Sequence, residues 1–109
     1  MIRIWVIQDP SRAHRTWAAQ QQLIAATLGP LQGVRGGENL IATLRTLSAC
    51  GWAQERAAAL LGVHTNTLRY RMGRAEQLTS RTLADPEVRS LWWLVFQLER
   101  LQGPEAGPT

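Results

Sequence analysis

Gln54-Glu-Arg-Ala-Ala-Ala-Leu-Leu-Gly-Val-His-Thr-Asn-Thr-Leu-Arg-Tyr-Arg71 is the stretch that decides the fold. Two helices that cross steeply over a turn of roughly three or four residues need a small side chain where their backbones meet. Ala58 meets that need. The turn needs a residue that tolerates positive φ, and Gly62 stands four positions on. Ala57, Leu61, Val63 and Leu68 then point inward on either side. Small residue, glycine and inward apolar positions together specify a helix-turn-helix. Its first helix runs from Gln54 to Leu61 and its second from about Thr65 to Leu78.

The second helix carries the chemistry. With Leu68 and Met72 buried at a four-residue spacing, Thr65, Asn66, Arg69 and Tyr70 fall largely on the opposite face. A helix in the major groove presents its N-terminal residues to base edges, while its free amides and dipole favour phosphate. Asn can bond adenine in a bidentate manner, Arg can bond guanine, and a Thr methyl can touch thymine. The candidate DNA-contacting residues are therefore His64, Thr65, Asn66, Thr67, Arg69, Tyr70, Arg71 and Arg74. Arg71 and Arg74, with Arg56 and Arg45, suit phosphate, which sets register and carries no sequence information. Structural roles compete at several of these positions. His64 can form the turn or the helix start, and Thr65 can be only an N-cap. The Tyr70 ring can cover the core, and Arg71 and Arg74 can pair with Glu55 or Glu76.

Outward from this stretch the chain reads as helical. Ile2 to Ile7 alternates weakly enough to suggest a short strand, and Asp9-Pro10 opens a helix that runs from Ser11 to Leu28. Residues 29–37 hold four glycines and a proline, the composition of a connector. Leu40, Ile41, Leu44 and Leu47 recur at helical spacing between Glu38 and Cys50, and Gly51 closes that segment. Asp85-Pro86-Glu87 opens the last helix, which Gly103-Pro104 stops. We expect an all-α architecture in the main, a helix-turn-helix bundle with a short N-terminal strand and helix. It divides into residues 1–37 (strand, helix and connector), 38–103 (the helix-turn-helix domain) and 104–109 (a tail).

Composition limits the function classes. The 109 residues suit one globular domain, 45% of them are apolar, and no window is long and apolar enough for a membrane span. A single cysteine, Cys50, excludes an internal disulfide framework, and we place it as a small buried residue at a helix end in an intracellular, cytoplasmic protein. All twelve basic residues are arginine, and the formal charge is +4. Between Gln54 and Arg81 there are five arginines and two acids, a local excess that points to an anionic partner. There is no metal-ligand cluster, no nucleophile beside a plausible base and no phosphate-cradling loop, since Gly33, Gly36 and Gly37 do not fit such spacing. We expect neither enzyme activity, nor a cofactor, nor a metal. A helix-turn-helix fold that has lost DNA and serves only protein contacts is the competing class.

Several separated pieces resemble the C-terminal helix-turn-helix of PucR-type (CdaR-like) bacterial transcriptional regulators. They are His64-Thr-Asn-Thr-Leu-Arg-Tyr-Arg71, the earlier Leu40-Ile-Ala-Thr-Leu44, and the later Glu76-Gln-Leu-Thr79 and Leu83-Ala-Asp-Pro-Glu87. The likeness covers about residues 23–101. A shorter one to Fis-type DNA-binding helices, through Arg56-Ala-Ala-Ala-Leu-Leu-Gly-Val and Asn66-Thr-Leu-Arg69, does not extend past Leu78. The PucR resemblance implies transcription control, DNA binding as a dimer or higher oligomer, and sensory domains upstream. Ile2 to Leu28 would then be the remnant of such a domain, in a piece of a longer regulator. Ser80 stands where that family usually has glycine, and Trp52-Ala-Gln54 lacks its usual Ser or Thr cap.

The last helix is more apolar than one core face needs. Leu91, Trp92, Val95 and Leu98 suffice to pack on the helix-turn-helix, which leaves Trp93 and Phe96 over. That surplus suggests a dimer contact or a dock for a missing domain, with plain core filling as the structural alternative, and we expect a homodimer through this helix with Trp5 or Trp17.

Overall fold

The computed structural model describes residues 10–102, with side chains from residue 15. The expected strand at Ile2 to Ile7, Trp5 with it, and the tail at 104–109 lie outside the described residues. The described chain is helical: α1 (Pro10–Leu28), a 3-10 turn (Gly29–Leu31), α2 (Gly37–Ala49), α3 (Gln54–Leu61), α4 (Thr65–Thr79) and α5 (Pro86–Gln102). Among the described residues there is no strand.

Each boundary has a local cause. Cys50 ends α2, after which the amide of Trp52 donates to Leu47 O at 2.7 Å and that of Gly51 to Ser48 O at 3.3 Å. This is the paired C-terminal closure that a left-handed glycine permits, and Gly51 takes φ 63°. The same closure ends α3: Val63 N donates to Ala58 O at 3.0 Å, Gly62 N donates to Ala59 O at 3.2 Å, and Gly62 sits at φ 70°. Asp85 caps α5, its Oδ1 accepting from Glu87 N at 2.9 Å.

Helix α2 is the centre, packed against the 3-10 turn, α3, α4 and α5. One core gathers Ile24, Leu28 and Leu31 with Leu40, Leu44, Ala75, Leu83, Trp92, Val95 and Phe96. A second, under the helix-turn-helix, holds Leu47, Ala57, Ala58 and Leu68. Trp52 and Met72 border both, so α4 rests on a continuous apolar floor. Cys50, half-buried, packs against the second core. The connector approaches this structure closely: a Cβ on Gly37 would stand 1.9 Å from Leu31 O.

On α5, Trp92 and Val95 are buried and Leu91 and Leu98 are packed on the core, as the spacing indicates. Phe96 requires a correction. It is not left over but only 6% exposed, stacked on Trp92 with ring centroids 5.7 Å apart and covered by the Arg45 guanidinium at 5.1 Å. The uncovered apolar residues of α5 are Trp93, Leu94 and Leu101.

Candidate nucleic-acid interface

The candidate site is the outward face of α4. His64 is the N-cap: it holds an extended backbone, and its Nδ1 accepts from Asn66 N at 3.0 Å. A neutral imidazole that accepts at Nδ1 carries its proton on Nε2, which is left as an outward donor. Thr65 is thus the first helical residue and not the cap, and it is half-buried. The remaining first-turn amides have no intrahelical acceptor. No acidic residue stands in the first turn to repel an anion there.

Leu68 and Ala75 are buried and anchor α4 inward. Asn66, Thr67, Arg69 and Tyr70 are exposed, so the face expected from the sequence is brought together on one side of the helix. Tyr70, at 69% exposure, does not cover the core. Arg69 Nη1 donates to Asn66 Oδ1 at 3.1 Å, an exposed pair three residues apart.

The phosphate candidates divide. Arg71 and Arg74 are half-buried, and neither pairs with Glu55 or Glu76 among the described residues. Arg71 Nη1 instead donates to Thr43 Oγ1 at 3.3 Å, and that buried hydroxyl donates to Asn39 O at 2.7 Å, which ties α4 to α2. Arg56 is exposed on α3. Arg45 is engaged elsewhere: its Nη2 meets Glu99 Oε1 at 3.1 Å while its guanidinium lies over Phe96.

Sequence spacing gives no sign of a brace that lies beyond α4. Glu76 Oε2 accepts from Leu83 N at 2.7 Å, and Arg89 Nε donates to Leu83 O at 2.6 Å. Arg89 also lies 5.1 Å over the Trp52 ring, so one main-chain group links α4, α5 and the entry to α3. The Glu76-Gln-Leu-Thr79 piece marks Glu76 as a residue of interest, but not its use on an amide seven residues away. Ser80 closes α4 in the left-handed region at φ 56°, so serine adopts the conformation that glycine usually provides.

Among the described residues no helix is long and apolar enough to cross a membrane. No group of three or more His, Cys, Asp and Glu is placed among them to hold a metal.

Comparison with known proteins gives the same region. Residues 40–98 match the family model described as the PucR C-terminal helix-turn-helix domain, within the span of the resemblance. An uncharacterised protein from the pkwA 5′ region of Thermomonospora curvata is 41% identical over 83 residues, which is 75% of this chain and 44% of that protein. Transcriptional activator PmfR of Paenarthrobacter nicotinovorans is 34% identical over 79 residues, 69% of this chain and 16% of its own length. The chain thus spans less than half the length of either relative. No solved structure matches.

Proposed function

The chain belongs to the family of PucR C-terminal helix-turn-helix domains, and from that premise we propose that it is the sequence-specific, double-stranded DNA-binding module of a bacterial transcriptional regulator. Helix α4 enters the major groove. Asn66, Thr67, Arg69 and Tyr70 face bases and their flanking phosphates, and His64 Nε2 with the free first-turn amides of α4 meets the backbone. Arg71 and Arg74, with Arg56, add phosphate contacts that give affinity without sequence information. The supporting observation is the face of α4: exposed Asn66, Thr67, Arg69 and Tyr70 stand opposite buried Leu68 and Ala75, with no acid in the first turn.

The module acts in the bacterial cytoplasm as a homodimer, and its regulatory signal comes from sensory domains upstream in a longer protein. Exposed Trp93, Leu94 and Leu101 on α5 support the self-association, since large apolar side chains left uncovered on one helix suit a protein contact. The same three residues favour the second reading, a helix-turn-helix used only for protein contacts. Selection of bound sequences from a random duplex pool separates the two. The regulator reading expects enrichment of one motif with two-fold symmetry, retained affinity that falls as salt rises, and loss of both on replacing Arg69 and Asn66 by alanine. An unenriched pool and no salt-sensitive binding contradict it.

A further inference from the structure

Arg69 Nη1 donates to Asn66 Oδ1, and if α4 binds DNA as proposed, this bond governs how the two side chains divide the reading of bases. The bond fixes the orientation of the Asn66 amide. A guanidinium has only donors, so the carbonyl oxygen must face Arg69 and the Nδ2 group must face away. Asn66 reads adenine by accepting from N6 at Oδ1 while donating to N7 from Nδ2, and the Arg69 bond takes one of the two Oδ1 lone pairs and holds the carbonyl toward the guanidinium. Arg69 has five N–H donors and gives one to Asn66, so a full fork of two remains for a purine edge. Both side chains are exposed at the start of α4, and His64 Nδ1 bound to Asn66 N holds the backbone of the first of them.

We infer that Asn66 and Arg69 read as one unit, with Arg69 contacting the O6 and N7 acceptors of a single guanine and Asn66 acting as the positioning residue that aims its guanidinium. The pair is rich in donors, the remaining guanidinium N–H groups and the Nδ2 amide outnumbering the one lone pair left on Asn66 Oδ1. It therefore suits an acceptor-rich edge, and Asn66 Nδ2 is left for a neighbouring acceptor such as a phosphate oxygen or a purine N7. Asn66 specifies no adenine of its own.

The test compares the motifs that the full chain and four variants select from a random duplex pool, with helical circular dichroism and thermal midpoint confirming that each variant is folded. In the unaltered chain one position prefers guanine roughly 10-fold or more over the other bases, the range of a good bidentate contact. Arg69→Ala and Arg69→Lys lose that preference, the lysine variant keeping its charge but not the fork. Asn66→Ala loses preference at the same position, whereas Asn66→Asp, which still accepts from Arg69 but repels phosphate, binds more weakly and keeps it. Loss of an adenine position in Asn66→Ala with the guanine intact overturns the inference. So does an Arg69→Ala variant whose selected motif is unchanged. If the unaltered chain selects no motif, the DNA-binding role itself fails, an outcome read in a separate arm from the variants.

Discussion

Ser80 shows how much a single dihedral can carry. It takes φ 56° at the end of α4, where a side chain pushes Cβ against the following carbonyl. Glycine there relieves about 1–2 kcal/mol of strain and costs about 0.4–1 kcal/mol through the freer unfolded chain, so Ser80→Gly should stabilise the domain by about 0.5–1 kcal/mol in urea denaturation. Gly37 is the opposite case. A Cβ there collides with the Leu31 carbonyl, a main-chain atom that cannot turn aside. Gly37→Ala should cost about 2 kcal/mol or more, and an unchanged thermal midpoint would show that the connector moves freely. His64→Ala removes the side chain that accepts from Asn66 N, and loss of such a cap costs about 1 kcal/mol.

At the scale of elements, helix α4 depends on what lies beneath it. Leu68 is fully buried between α2 and α3, so Leu68→Ala should destabilise the domain by about 2–5 kcal/mol and weaken DNA binding only in proportion to the unfolded fraction. A binding loss far beyond that fraction would mean that the folded variant holds α4 in a different position. Most of this architecture was legible in the sequence, because the punctuating residues act locally: Gly51, Gly62 and Asp85-Pro86 end or begin helices through bonds within a few residues. The site's outward face was legible for the same reason, since the helical repeat around Leu68 fixes where Asn66 and Arg69 stand. The remainder depended on distant partners. Phe96 lies one turn from Trp92, yet its ring is covered by Arg45 from α2, and the Arg45–Glu99 pair joins residues 54 positions apart. Sequence spacing gives a side chain's direction along its own helix, and it does not say which neighbour arrives to cover it or to take its charge.

For the molecule as a whole, three of the exposed large apolar residues among those described, Trp93, Leu94 and Leu101, lie on α5, and Leu60 lies on α3. Trp93 is 54% exposed and Leu101 77%, on a helix whose other face is fully used by the core. If two copies meet there, light scattering should give the dimer mass for the unaltered chain. Trp93→Glu, which places a charge at the contact, should then give the monomer mass with unchanged helical circular dichroism. A monomer in both cases would remove self-association through this surface. The central claim, that the exposed face of α4 binds DNA, is tested most directly by titrating a labelled duplex of the selected motif and following its anisotropy at several salt concentrations. The account predicts binding that weakens steeply with salt, falls by at least about 10-fold when Asn66 and Arg69 are both alanine, and is untouched by Arg15→Ala at an exposed position of α1. Equal affinity of the double variant and the unaltered chain would contradict it.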